Sequence, residues 1–141
     1  KYPKLYIVGS GPDLIELEKY FNDNIIYKGY IQDKYEIREM LQNSSGLIIS
    51  SLFDPSPKII NEALACSIPV LCRNTIGTSG DLVEHLKNGY VYSSEDDIQK
   101  GMSWLLENYK SSETINHCIL KAKEWSPFQN ASSVLQLYLN L

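Results

Sequence analysis

The sequence predicts an α/β fold, with a mainly parallel sheet and helices on both faces. Three observations carry that reading. Short apolar runs of strand length alternate with segments of helical periodicity, turn-forming residues separate them, and no internal repeat, low-complexity tract or linker interrupts the series. Parallel strands need crossover connections, and these are right-handed, so few arrangements of such a series are open.

The first apolar run, Leu5–Val8, opens into a turn containing Gly9 and Gly11. Pro12 and Asp13 then precede a helical pattern of Leu14, Ile15, Leu17 and Phe21. Gly9 and Gly11 make a weak dinucleotide fingerprint, because the full glycine series is missing and the next strand offers no acid placed for a ribose. A tight turn is the plainer reading. A strand at Ile25, Ile26 and Tyr27 ends at Lys28 and Gly29. A helix follows over Lys34–Gln42, with Ile37, Met40 and Leu41 on one side and Asp33 as its cap, and Asn43, Ser44 and Ser45 break it.

Residues 46–71, GLIISSLFDPSPKIINEALACSIPVL, form the centre of the chain. Leu47, Ile48 and Ile49 read as a buried strand, and Asp54, Pro55, Ser56 and Pro57 as a turn. A helical pattern runs from Lys58 to Cys66, and Val70, Leu71 and Cys72 give a second strand after Pro69. Pro57 suits a first helical turn and Ser56 the cap. The helix starts at the carboxyl end of a buried strand, so the free N–H groups around Lys58 and Ile59 form a seat for a phosphate or another anion. The Lys58 side chain has two open readings, toward that anion or toward solvent. Glu62 lies among Ala63, Leu64 and Ala65, where burial of its carboxylate would require a partner. Periodicity alone favours an exposed glutamate on the polar face.

Residues 73–80, RNTIGTSG, suit a polar loop on the ligand side. A short helix is expected from Asp81 to His85, a turn at Asn88 and Gly89, and a strand at Tyr90 to Tyr92. Glu95, Asp96 and Asp97 stand at the front of a helix whose apolar residues are Ile98, Met102, Leu105 and Leu106. There they complement the helix dipole as a solvated end rather than a metal site. Further helices are expected over residues 112–123 and 126–139, the last with Pro127 in its first turn and Val134, Leu135 and Tyr138 on an apolar side.

With 141 residues, 43% hydrophobic and 21% charged, the chain suits one globular domain, 1–141. A net charge of −4 without a Lys/Arg cluster argues against nucleic acid as a partner. Cys66, Cys72 and Cys118 show no metal-ligand spacing and suit a reducing compartment. His85 and His117 read as structural or surface residues. Ser50, Ser51 and Ser56 lack the glycine flanks of a hydrolase elbow. No apolar stretch has bilayer length, and no signal-peptide pattern opens the chain.

Residues 46–71 resemble the signature of the retaining nucleotide-sugar glycosyltransferases of the group 1 type. These have two facing Rossmann-like domains, the GT-B fold, and the likeness is to the C-terminal, donor-binding one. The signature is an acidic residue, seven intervening residues and a glutamate, then a small-residue helix and a proline-opened strand; here Asp54, Glu62 and EALACSIPVL fill it. Asp54 stands for a commoner glutamate, Pro57 for a glycine before the phosphate-facing turn, and Ser67 for the glycine before Ile68 and Pro69. The likeness extends over residues 4–138, through Gly77, Gly80, Asp81, Asn88 and Gly89. Residues 125–130, WSPFQN, are similar to the start of the terminal crossover element, here 125–141, which packs on the N-terminal domain.

The resemblance implies transfer of a hexosyl unit from a nucleotide sugar to a glycan or lipid-linked acceptor, with retention. It assigns the catalytic position beside the transferred sugar to Asp54, the donor ribose to Glu62, and the diphosphate to Lys58, Ile59, Pro57 and Ser56. Tyr30 and Ile31 approach the base, and Gly9 and Gly11 border the cleft. It implies no divalent metal and no cofactor besides the donor substrate. The acceptor would bind an N-terminal domain outside this sequence, and the first strand-helix unit of the donor domain would be missing too. The chain reads as an excised domain, inactive alone and cytoplasmic. It makes no membrane contact itself, and contact with the inner membrane face is left open for the complete protein. A stand-alone nucleotide-binding or regulatory domain, or a sugar-nucleotide epimerase, are the alternatives. Base, sugar, acceptor and linkage are left open.

Overall fold

The computed structural model describes residues 3–139, so the outermost residues of the expected 1–141 domain and 125–141 terminal element lie outside the described part. The order of elements is β1 (Leu5–Val8), α1 (Leu14–Leu17), β2 (Ile25–Gly29), α2 (Lys34–Gln42), β3 (Leu47–Ile49), α3 (Lys58–Ala65), β4 (Val70–Arg73), β5 (Gly89–Tyr92), α4 (Glu95–Asn108), α5 (Ser112–Glu124) and α6 (Pro127–Leu139). Strands and helices alternate from β1 to β4, as the periodicity predicts, and β5 then follows β4 without a helix between them. The chain divides into two compact units between Ile37 and Arg38, inside α2.

In the first unit β1 and β2 pair in parallel, Leu5 beside Ile25 and Ile7 beside Tyr27. The helix after β1 is shorter than its pattern suggests. It holds four residues, continues as a 3₁₀ turn over Glu18–Tyr20, and buries none of them. Phe21 does not extend it but stacks on Tyr27, ring centroids 5.4 Å apart. Ile15 stays 80% exposed, so the α1 stripe has no core to bind it in place.

In the second unit β3, β4 and β5 form a parallel ladder with β4 in the middle. Val70, Leu71 and Cys72 of β4 are all fully buried, and because successive strand residues point to opposite faces, both faces are covered. Leu71 joins Tyr92 and Leu105 of α4 in one cluster, with Ile48, Tyr90, Ile98 and Trp104 packed against it. α3 packs on β4 and on α5. Burial pushes the thiols of Cys72 and Cys118 up, to about 11 and about 12, which leaves both as inert packing groups.

Two local expectations change. Residues 81–85 are a looped turn with isolated bridges rather than a short helix. The reason is Asn88, 1% exposed, whose amide donates to the Leu82 carbonyl and whose Oδ1 accepts from the Glu84 N–H. Those backbone groups are therefore claimed by a side chain before a helix can use them. The tight turn before β5 falls earlier than Asn88 and Gly89, since Leu86 takes the positive φ of 64°. Gly89 begins the strand instead. Among the described residues, no helix is long and apolar enough to cross a membrane.

Candidate functional site

The loop from β3 to α3 is held by the loop that follows β4. Thr75 Oγ1 donates to the Leu52 carbonyl at 2.6 Å, and the Gly77 N–H donates to the Asp54 carbonyl at 2.9 Å. A Cβ on Gly77 would fall 2.2 Å from the Pro55 carbonyl oxygen, so no larger residue allows this approach. Asp54 is half-buried, and its Oδ1 accepts the Ser56 N–H at 3.0 Å, an Asx turn that aims the carboxylate toward the start of α3. Its second oxygen has no hydrogen-bond partner among the described residues.

The start of α3 is built differently from the expectation. Pro57, buried, occupies the N-cap position with extended backbone, and no side chain caps the helix. Ser56 therefore sits one residue too early to cap, and its N–H serves the Asx turn. Proline offers no side-chain acceptor, and among the described residues the N–H groups of Lys58 and Ile59 have no hydrogen-bond partner. An uncapped helix start facing a loop is the electropositive arrangement that binds anions.

α3 separates its faces cleanly. Ile60, Ala63 and Leu64 are fully buried, whereas Lys58 and Glu62 are exposed and Ile59 is half-buried. Lys58 and Glu62 are four residues apart, so they lie on one side of the helix, about 6 Å apart along its axis. Neither is in an ion pair among the described residues. The exposed setting of Glu62 matches what periodicity favoured and leaves its carboxylate free to accept from a ligand's hydroxyls. α3 ends in a Schellman arrangement, Ile68 N–H to Ala63 carbonyl and Ser67 N–H to Leu64 carbonyl. Ser67 stands there with φ 65°, a backbone state that favours glycine.

In the first unit the glycine turn is structural in one half. Gly9 has φ 125°, its N–H donates to the Gly29 carbonyl, and Tyr27 Oη donates to its carbonyl at 2.9 Å. Gly11 has open space around its α-carbon. Tyr30 is 74% exposed and Ile31 half-buried. The sequence reading missed the Thr75 and Gly77 tethers as supports of the acid loop. Gly77 stood out only as part of a resemblance, and no local pattern reveals a backbone approach across 23 residues. Thr78, in the same loop, is buried with its hydroxyl unpaired. Among the described residues no group of three or more His, Cys, Asp or Glu side chains converges as metal ligands.

The sequence model of the family described as glycosyl transferases group 1 matches residues 2–125. The chain belongs to that family. Among curated relatives, the lipopolysaccharide 1,6-galactosyltransferase of Escherichia coli K12 is 27% identical over 116 residues, 78% of this chain and 32% of the relative. The chain thus spans about a third of that relative's length. Among solved structures, the apo form of the lipopolysaccharide outer core galactosyltransferase WaaB superimposes with a TM-score of 0.82 at 16% identity, over 98% of this chain and 41% of that one. Anabaena HepE in complex with UDP gives 0.80 at 17% identity, over 99% and 41%. These likenesses show the GT-B type of fold, of which this group 1 glycosyltransferase chain resembles one Rossmann-like half.

Proposed function

We propose that the chain is the donor-binding domain of a retaining glycosyltransferase that moves a sugar from a nucleotide sugar to a glycan or lipid-linked acceptor. The observation that carries this is the sequence of groups along one surface: the Asp54 carboxylate, the unpaired Lys58 and Ile59 N–H groups, and the exposed Glu62 about a helical turn beyond. That succession fits sugar, diphosphate and ribose in order. A structural neighbour that carries UDP, HepE, supports a nucleotide as the ligand of such a half.

The chemistry follows from charge. As the bond from the anomeric carbon to the diphosphate oxygen breaks, negative charge grows on the leaving diphosphate and positive charge on the sugar. The α3 amides and Lys58 meet the first, and the Asp54 carboxylate meets the second. Glu62 accepts from ribose hydroxyls that do not change during the step, so it contributes to binding rather than to the barrier. In the complete protein the remainder of the chain presents the acceptor and completes the phosphate stabilisation.

The test is a donor screen on the complete protein, with nucleotide-sugar binding read by saturation-transfer NMR and acceptor glycosylation by mass analysis. The complete protein transfers a sugar to an acceptor, and the 141-residue chain alone does not, because transfer needs donor and acceptor held in reactive geometry. Epimerised donor without transfer, or efficient transfer by the chain alone, would overturn the reading.

A further inference from the structure

A continuous series of contacts runs from α5 to the Asp54 loop. The Lys121 ammonium, on a side chain only 15% exposed, lies 2.5 Å from the Glu84 carboxylate. Of the two lysines on Glu84, Lys87 belongs to the same turn and Lys121 to another element, so it is Lys121 that ties the turn to α5. Beside Glu84, the Val83 carbonyl accepts the Gly80 N–H at 3.1 Å, and the Thr78 carbonyl accepts the Leu82 N–H at 2.9 Å. These two bonds bracket Gly80 and clamp the turn to residues 74–80. Ser79 Oγ closes that loop on itself by donating to the Asn74 carbonyl at 3.1 Å. The loop in turn holds the Asp54 carbonyl through Gly77 and the Leu52 carbonyl through Thr75. α5 is itself anchored by buried Thr114 and Cys118 and packs on α3, the helix that starts at the anion seat.

We infer that Lys121, acting through Glu84, is a positioning residue for the Asp54 carboxylate. The inference rests on the role proposed above for Asp54. Leu82 and Val83 are buried, but apolar packing is non-directional and tolerates small shifts of the turn. The ion pair supplies the direction that packing lacks. Asn88 preserves the shape of the turn from within, so a turn released from Lys121 keeps its fold and loses its place. The bonds across Gly80 and from Gly77 then carry the displacement to Asp54. Sugar transfer is sensitive to it, because about 1 Å of misplacement can slow a reaction by about a hundredfold. Donor binding rests on the α3 amides, Lys58 and Glu62, which this series of contacts does not pass through.

The complete protein is tested with the nucleotide sugar found in the donor screen, at a temperature where urea melts show every variant folded. Lys121→Met slows single-turnover transfer at saturating donor by about tenfold and leaves donor Kd by calorimetry within about twofold. Lys121→Arg, which keeps the charge, stays within about threefold of the wild-type rate. Lys87→Met also removes a charge from Glu84 but no contact between elements, and the rate does not change. In an Asp54→Asn background Lys121→Met slows transfer no further, since both act through one group. An unchanged rate in Lys121→Met, equal slowing by Lys87→Met or Lys121→Arg, a parallel loss of donor affinity, or independent slowing beside Asp54→Asn would overturn the assignment. If Asp54→Asn alone leaves the rate unchanged, the role of the acid fails, and the inference falls with it.

Discussion

Asp54 and Glu62 are both carboxylates, but their surroundings give them different tasks. Asp54 is half-buried and locked to Ser56, whereas Glu62 stands exposed and unpaired on α3. Glu62→Gln in the complete enzyme is expected to raise donor Kd by about tenfold or more with little change in the saturated single-turnover rate, since a charge-assisted hydrogen bond contributes roughly 1.5–3 kcal/mol. Asp54→Asn is expected to slow that rate while donor Kd changes little. Calorimetry and rapid-quench kinetics separate the two, and the reverse pattern would exchange the roles. Ser67 gives a second prediction at this scale. A non-glycine residue at φ 65° costs roughly 1–2 kcal/mol, and glycine's greater unfolded freedom returns roughly 0.5–1 of it, so Ser67→Gly should stabilise by about 1 kcal/mol. Chemical melts of Ser67→Gly and Ser67→Ala check this, with only glycine gaining. The glycine that the family signature leads one to expect at this position has a physical reason visible only in the backbone.

At the scale of elements, the loop between β4 and β5 is held twice, by Asn88 within itself and by Glu84 toward α5. Lys121 of α5 lies 2.5 Å and Lys87 2.9 Å from the Glu84 carboxylate. The hydrogen bond from Lys121, then that from Lys87, pulls the Glu84 pKa down to about 2. A depressed acid contributes stability that is complete above its unfolded pKa, near 4.5, and is lost as pH falls toward 2. Glu84→Gln should therefore cost about 1 kcal/mol at neutral pH, and the gap from wild type should close between pH 4.5 and 2. Urea melts at stepped pH decide it; a gap of equal size at both ends would exclude the ion pair as its source. Elements with long periodic stretches were legible in the sequence. α2 and the strands β3 and β4 follow from apolar spacing and from stop signals such as Asn43, Ser44 and Ser45. Residues 81–85 were not, because the buried Asn88 takes backbone groups that propensity would give to a helix. α1 was over-read because its apolar stripe has nothing to pack on.

For the whole molecule, the α/β class and the central loop-helix site were legible, since both rest on local order along the chain. The site's rigidity was not, because it depends on Gly77 and Thr75 approaching Asp54 and Leu52 from a loop distant in sequence. The missing cap at α3 was likewise hidden. Ser56 and Pro57 differ by one position, and that shift decides whether the helix start is closed by a hydroxyl or left open to an anion. α6 closes the described chain with no buried residue, and Phe128, Val134, Leu135 and Tyr138 are exposed. The expected apolar side is present in sequence and, among the described residues, has no core against it.

The central claim is the polarity of the donor along α3, and a structure of the complete protein with its nucleotide sugar tests it most directly. The account predicts the diphosphate at the Lys58 and Ile59 amides, the sugar beside Asp54 and the ribose hydroxyls on Glu62. A diphosphate at the other end of the helix, near Cys66 and Ser67, would contradict it, even in a protein that still bound nucleotides.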